Sequence, residues 1–184
     1  MGSEITELVR KAQGGNADAF GRLYSIYYKE MYSYACCVTG NAFAAEDAVS
    51  EAVCSAFKDI KALRKPESFK GWLFRILNAA CRRQFNELHA NLELNDEVDL
   101  GRNTDGGISN LDLSMELQAA IRILTPEERQ IVFLKIMGEY KSREIADILE
   151  MPGATVRSKL ARALAKLKTE IEENRKGGED RETQ

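Results

Sequence analysis

Two amphipathic patterns between residues 140 and 167 constrain the fold of this chain more than any other stretch. In the first, one helical face collects the apolar residues Ile145, Ala146, Ile148 and Leu149. In the second, apolar residues recur at spacings of three and four, at Val156, Leu160, Ala163, Leu164 and Leu167. A Met-Pro-Gly corner separates them. A short helix, a tight turn and a longer basic helix predict a helix-turn-helix, whose second helix can enter a major groove.

Local signals around the corner predict where these helices begin. Ser142 is expected to cap the first helix, and Thr155 to satisfy early amides of the second. Pro152-Gly153 is expected to form the turn between them. Upstream, Thr125 is expected to cap a further helix that starts at Pro126, where a fixed φ suits the first helical position.

The outer face of the second helix carries side chains that a duplex reader uses. Arginine can bind guanine edges through two hydrogen bonds, serine can bind a base or a phosphate, and alanine can touch a thymine methyl. Lys159 and Lys166 are better suited to phosphates, which set register without reading sequence. The predicted DNA contacts are Thr155, Arg157, Ser158, Lys159, Ala161, Arg162 and Lys166. An ordinary helical hairpin with a solvated basic face remains the alternative for this stretch.

The first half of the chain predicts four helices. Their periodic stretches cover residues 4–13, 16–39, 45–57 and 69–90, separated by Gly14-Gly15, Gly40-Asn41 and a basic loop at 61–68. Asn16 or Asp18 is expected to cap the second helix, and Ser68 the fourth. Phe57 is placed on the inward stripe of the third helix.

Basic and aromatic residues are interleaved from Lys61 to Arg83, a pattern that suits single-stranded nucleic acid because splayed bases stack on rings. Phe69 and Trp72 sit at core spacing, so packing is the alternative for them, whereas Phe74 is expected to project away from the core. The residues predicted to face melted DNA are Lys61, Arg64, Lys65, Lys70, Arg75, Asn78, Arg82 and Arg83.

An acidic stripe lies on the third helix. Glu46, Asp47 and Glu51 fall outside its apolar face, on an otherwise basic half of the chain. Such a stripe is either a solvated surface or an edge on which a protein docks.

The net charge of −3 does not exclude a nucleic-acid partner, because the acidity is local. Residues 1–90 carry 12 basic and 10 acidic side chains and residues 116–169 carry 10 and 7, whereas residues 91–115 carry 1 and 6. The sequence therefore predicts an all-α protein of two small helical domains, at 1–90 and 112–170. A flexible acidic linker at 91–111 joins them, and a charged tail follows at 171–184.

Cysteine spacing argues against a metal site, while oxidant sensing by the vicinal Cys36-Cys37 remains an alternative to reduced, semi-buried thiols. Cys36, Cys37, Cys54 and Cys81 form no C-x-x-C pair, and His89 stands alone, so no metal site is predicted. No cofactor and no catalytic residue is predicted either. No apolar run reaches the roughly 20 residues that cross a bilayer, which predicts a cytoplasmic protein without membrane insertion.

Four segments, in this order, resemble the extracytoplasmic function (ECF) class of bacterial sigma factors. Ala45 to Glu51 resembles their A-E-D-hydrophobic-x-x-E helix, and Phe69 to Asn78 is similar to their F-x-x-W-L-x-x-I-x-x-N segment. Leu124–Arg129 and Glu144–Ser158 resemble their region 4 pattern. The resemblance covers residues 20–86 and 115–167. The chain departs from the pattern at Ala154, which separates Gly153 from Thr155.

The resemblance implies a role for each segment. The acidic helix, with Glu46, Asp47 and Glu51, would dock on core RNA polymerase. The basic loop and the fourth helix would melt and hold the −10 promoter element, and the helix-turn-helix would read the −35 element. It also implies an anti-sigma factor as partner. Two alternatives remain: a helix-turn-helix regulator that works without polymerase, and an enzyme that uses Cys36, Cys54 or Cys81.

Overall fold

Helices form the secondary structure of residues 2–93 and 120–179, the part of the chain that the computed structural model describes, and these ranges contain no strand. The predicted all-α fold is confirmed. Among the described helices, none combines the length and the apolar character of a membrane-spanning segment. The helices are α1 Gly2–Gln13, α2 Ala17–Thr39, α3 Ala42–Asp59, α4 Phe69–Glu93, α5 Pro126–Ile136, α6 Ser142–Leu149 and α7 Gly153–Glu179. Two 3₁₀ turns, Ile60–Ala62 and Pro66–Ser68, connect α3 to α4.

Short polar side chains begin three of these helices. The Ala19 amide donates to Asn16 Oδ1 at 2.9 Å and the Ala44 amide to Asn41 Oδ1 at 3.0 Å. Thr125 and Glu128 form a reciprocal capping box at the start of α5. The predicted caps at Asn16 and Thr125 are confirmed.

The corner of the helix-turn-helix differs from the prediction. Ser142 is the first residue of α6 rather than its cap, and the Glu144 carboxylate accepts from the Lys141 amide at 2.7 Å. The reversal occurs at Glu150, in the left-handed region with φ 54°, and Gly153 already belongs to α7. Ser68 likewise ends a 3₁₀ turn instead of capping α4, so the prediction for it was wrong.

The amino-terminal helices enclose the larger part of one continuous apolar core. α2, α3 and α4 pack against one another and α1 packs along α2. Ala48 and Ala52 are fully buried, and their small side chains let α3 approach its neighbours closely. Leu23 and Met31 are also fully buried, and each such side chain contributes about 1.5–3 kcal/mol to stability. Phe57 is 51% exposed, which contradicts its predicted inward position.

The carboxy-terminal helices enclose the smaller part of the same core. Ile131 and Leu134 of α5 pack with Ile145 of α6 and Val156 of α7, all fully buried. Leu164 is 43% exposed, so its predicted place on the inward face was wrong. α7 continues to Glu179, through most of the stretch that was predicted to be a charged tail.

The two halves contact each other through α2, which packs on α5, and through one face of α4, which packs on α6. The Tyr34 ring packs edge-on against Phe74, at 5.8 Å between centroids, and against Phe133 of α5 at 5.6 Å. The Asn78 amide donates to the Ile148 carbonyl of α6 at 3.3 Å. Phe74 is fully buried here, contrary to its predicted outward position. Of the predicted linker at 91–111, residues 94–111 lie outside the described residues.

Candidate nucleic-acid interface

The outer face of α7, made of Arg157, Ser158, Ala161 and Arg162, is a continuous solvent-exposed stripe. The sequence explains this exposure, because the apolar residues Val156, Ala163 and Leu167 lie on the opposite face of the helix and are buried. The Ser158 hydroxyl donates to the Thr155 carbonyl at 3.0 Å, and Arg162 Nε lies 3.4 Å from the Ser158 carbonyl. The two guanidinium groups therefore stand at the surface, beside small residues that would not hinder close approach to a groove.

Two lysines on the flank of α7 form ion pairs with α5. Lys166 Nζ donates to the Glu128 carboxylate at 2.8 and 3.0 Å, and Lys159 bonds to Glu127. Glu128 is only 6% exposed, and the hydrogen bond from Lys166 lowers the pKa of its carboxyl. These pairs fix α7 on α5. Sequence reasoning assigned both ammonium groups to phosphates and missed their carboxylate partners.

The basic loop, residues 61–68, presents charge outward and apolar side chains inward. Lys61, Arg64 and Lys65 are exposed, whereas Ile60 and Leu63 are buried. The loop backbone is bonded to α1, because Gln13 Nε2 donates to the carbonyls of Ile60 and Leu63. No sequence signal pointed to Gln13, since both acceptors are backbone atoms distant in the chain.

The outer side of α4 adds three further cations. Arg75, Arg82 and Arg83 are exposed. Arg83 bonds to Glu51 of α3. Arg83 is a predicted DNA contact and Glu51 a predicted polymerase contact, so the two predicted surfaces meet at this ion pair. Together with the loop cations, these arginines form the exposed part of the predicted single-strand surface.

The remaining two predicted contacts, Lys70 and Asn78, lie on the face of α4 that α6 and its preceding turn cover. Lys70 Nζ is 2.9 Å from Glu30, donates to the Gly138 carbonyl at 3.1 Å and lies 4.9 Å from the centroid of the Tyr140 ring. Asn78 is 3% exposed, and both ends of its amide are bonded. In this arrangement Asn78 is closed to DNA, and the ammonium group of Lys70, whose side chain is 32% exposed, is bonded within the protein.

Burial also perturbs the carboxyl group that partners Lys70. Desolvation raises the pKa of Glu30, and the hydrogen bond from Lys70 opposes that rise. The pair joins α2 to α4 where the Gly138 turn and Tyr140 contact α4, in a site drier than a surface ion pair.

The acidic face of α3 is partly engaged. Glu46 and Asp47 are exposed, while Glu51 is half-buried beside Arg83. Phe43, at the start of the same helix, is 80% exposed. Its position two residues after the Asn41 cap, outside the inward stripe, could have indicated this exposure from sequence.

Three of the four cysteines are buried. Burial raises the pKa of Cys37 to about 12 and also raises the pKa values of the Cys36 and Cys81 thiols, so their thiolates are disfavoured. Cys54 is exposed on the outer side of α3. Within the described ranges no cluster of His, Cys, Asp and Glu has the geometry to hold a metal ion.

Family comparisons match the two halves separately. The model of Sigma-70 region 2 matches residues 23–89, and that of Sigma-70 region 4 matches residues 114–167. The ECF RNA polymerase sigma factor SigW of Bacillus subtilis is 25% identical over 183 residues, 91% of this chain and 96% of SigW. The ECF RNA polymerase sigma factor BldN of Streptomyces coelicolor is 29% identical over 174 residues, 90% of this chain and 66% of BldN.

Two solved structures share the fold. CnrH, in complex with the cytosolic domain of CnrY, gives a TM-score of 0.67 at 22% identity and covers 92% of this chain and 97% of CnrH. The sigma factor RpoE of Bartonella quintana, in complex with the anti-sigma factor NepR, gives a TM-score of 0.69 at 17% identity. The match covers 83% of this chain and 96% of RpoE.

Proposed function

The chain belongs to the ECF class of RNA polymerase sigma factors, and from this premise we propose how its surfaces divide the work of transcription initiation. Region 2, matched at residues 23–89, would bind polymerase and the −10 element. Region 4, matched at residues 114–167, would bind the −35 element. The protein would act in the cytoplasm as a specificity subunit, with no catalytic group of its own.

The −35 element would be read by the outer face of α7. Arg157 and Arg162 project from an exposed stripe with small neighbours, which suits bidentate contacts to guanine edges in a major groove. Ser158 and Ala161 lie between them and would meet a base, phosphate or thymine methyl. Thr155 would contact the backbone near the start of the helix. Lys159 and Lys166 would reach phosphates only by exchanging their carboxylate partners on α5 for DNA.

The melted −10 strand would follow the exposed cations of region 2. The basic loop and the outer side of α4 present them along one path: Lys61, Arg64, Lys65, Arg75, Arg82 and Arg83. Lys70 and Asn78 would join this surface only after α6 leaves α4, because α6 and the Gly138 turn cover them. Binding to polymerase and promoter would supply the free energy for that separation.

Core polymerase would dock on the acidic face of α3, Glu46, Asp47 and Glu51. Exposed carboxylates favour a basic partner and accelerate encounter with it. Each promoter element would be bound weakly by one half of the chain, and polymerase would hold the halves at the spacing of the promoter, so that the two affinities combine. An anti-sigma factor is a further proposed partner, by analogy with the NepR complex of RpoE.

One observation carries this proposal: two exposed cationic surfaces lie on the two halves that the sigma-70 region 2 and region 4 models match separately. The test is run-off transcription of genomic fragments by core polymerase with and without the purified chain. Transcripts that require the chain and share upstream elements support the proposal. If the chain alone binds duplex DNA tightly and sequence-specifically, and polymerase gains no promoter preference, the protein is instead a polymerase-independent regulator.

A further inference from the structure

One side-chain amide from α1 holds both ends of the first turn of the loop between α3 and α4. Gln13, the last residue of α1, donates from Nε2 to the Ile60 carbonyl at 3.1 Å and to the Leu63 carbonyl at 2.7 Å. A carboxamide nitrogen carries two protons, and these two acceptors use both of them. The acceptors are the first carbonyl of the 3₁₀ turn Ile60–Ala62 and the carbonyl of the residue that follows it.

These bonds determine which way the loop faces. The Leu63 amide donates to the Ile60 carbonyl at 3.2 Å, which closes the turn, and the side chains of both residues are buried. With its two apolar ends fixed inward, the turn directs Lys61 outward, and the chain after Leu63 carries Arg64 and Lys65 into solvent. The backbone that carries three predicted −10 contacts is thus fixed by packing and by one amide.

α1 is itself held firmly enough to serve as the anchor. Leu8, Val9 and Ala12 are buried against α2, and the chain reverses at Gly15, whose φ of 93° is readily adopted by glycine. The Asn16 amide returns to the Lys11 carbonyl at 3.1 Å. The helix precedes residues 23–89, which the region 2 model matches, so its function is not described by that match.

We propose that Gln13 is a positioning residue for −10 recognition: by holding the carbonyls of Ile60 and Leu63, it sets the path along which Lys61, Arg64 and Lys65 meet the melted strand. The inference rests on the proposed function. Without both bonds the turn would sample other shapes, and the strand would have to order it on binding. Charge attraction to phosphates would persist, whereas discrimination between bases, which depends on exact placement, would fall.

The experiment compares Gln13→Ala and Gln13→Met with Asn16→Ala. Methionine keeps the length and helix propensity of the side chain but donates no hydrogen bond. Asn16→Ala is the matched control, because it removes the cap of α2 beside Gln13. The side chain of Asn16 accepts from the Ala19 amide, a bond that does not involve the loop. Each full-length variant is assayed with core polymerase on a promoter recovered by the run-off selection, and on versions with single substitutions in the −10 or the −35 element.

The measured quantity is transcription from the intact −10 element divided by transcription from the substituted one. The Gln13 variants are expected to lower this ratio by about tenfold, because about one to two hydrogen bonds are lost. The corresponding −35 ratio is expected to stay constant, because α7 is untouched. Hydrogen exchange at residues 60–65 is expected to quicken in Gln13→Met and not in Asn16→Ala, which reports on the loop even where a variant is less stable.

Two results would overturn the inference and leave the proposed function standing. In the first, the Gln13 variants match Asn16→Ala in both transcription ratios and in hydrogen exchange. In the second, the Gln13 variants lose discrimination at the −10 and −35 elements to the same extent. Failure of the native chain to direct any promoter-dependent transcript is a different outcome. It would remove the proposed function, and the inference with it.

Discussion

Tyr34 donates its hydroxyl proton to Asn78 Oδ1 at 2.8 Å, and both side chains are buried at the contact between the two halves of the chain. The other end of the same amide donates to the Ile148 carbonyl. A polar pair inside region 2 is therefore completed by a backbone atom of region 4. Removal of either partner would leave a buried polar atom without a hydrogen bond. The free-energy cost of that unpaired atom exceeds the net stabilisation that the hydrogen bond provides.

The same substitution at two tyrosines is expected to change stability in opposite directions. Tyr34→Phe leaves Asn78 Oδ1 without its donor and should lower the free energy of unfolding by about 1–3 kcal/mol. Tyr140→Phe removes a buried hydroxyl that has no hydrogen-bond partner among the described residues, and should raise it by about 1 kcal/mol. Urea denaturation of both variants measures the two changes. Shifts of the same sign would mean that the presence or absence of a hydrogen-bond partner for each hydroxyl does not decide the change in stability.

Acid is expected to weaken the contact between α5 and α7. The pKa of Glu128 is lowered, first by the hydrogen bond from Lys166, so the folded state holds the carboxylate more strongly than the unfolded chain does. That stabilisation is present above the ordinary carboxyl pKa of 4.5 and is lost as pH falls through the lower folded value. Glu128→Gln should cost about 1 kcal/mol near neutral pH, allowing for solvent around the half-exposed Lys166.

The measurement is the difference in unfolding free energy between the native chain and Glu128→Gln, from about pH 7 to about pH 3. The difference should narrow toward the acidic end. A difference that stays constant with pH would show that the ion pair contributes no net stability and that the capping bond to Thr125 accounts for the loss.

Arginines and lysines of α7 are expected to behave differently on promoter variants. Arg157→Ala or Arg162→Ala should each cost about 1–3 kcal/mol of binding at particular −35 bases and relax specificity there. Lys159→Ala should weaken binding to all −35 sequences equally. Its loss of affinity should be smaller than that of the arginine variants, because Glu127 already competes for the Lys159 ammonium group. Transcription from a panel of −35 substitutions compares these patterns. If the arginine variants lose the same affinity for every −35 sequence, these arginines contact phosphates and not bases.

Charge reversal on α3 should weaken polymerase binding without unfolding the chain. Glu46 and Asp47 are exposed, so Glu46→Lys with Asp47→Lys should leave thermal stability nearly unchanged while reducing affinity for core polymerase. Glu51→Lys should add a stability loss, because it places a cation beside Arg83. Affinity is measured by fluorescence titration, with Glu87→Lys on the exposed side of α4 as the control. Unchanged affinity of the double variant would exclude this face as the docking surface.

Sequence was sufficient wherever the determining interaction is local. Thr125, Pro126 and Glu128 lie within one turn of helix, and their capping box forms as their chemistry predicts. Asn16 caps α2 for the same reason. The apolar spacings of α6 and α7 likewise predicted a buried face for each helix. A face needs only three or four correct residues, so it tolerates one error such as Leu164.

Interactions between distant segments were not predictable in this way. Phe74 and Asn78 fall outside the inward stripe of α4 as judged from region 2 alone. Both are buried because Tyr140 and α6 pack on them. The bonds of Gln13 end on backbone carbonyls, which leave no residue-type signature. Glu150 adopts a left-handed conformation usually associated with glycine, so composition pointed instead to Pro152-Gly153.

The uneven burial of the four cysteines makes the native chain convenient for site-selective chemistry. Cys54 stands in solvent on α3, on the helix that carries Glu46 and Asp47, while Cys36, Cys37 and Cys81 are enclosed with raised pKa values. A maleimide dye should therefore couple once to the folded protein, at Cys54, without any cysteine being removed. The label would sit beside the proposed docking face, where its fluorescence would report the arrival and departure of polymerase in real time.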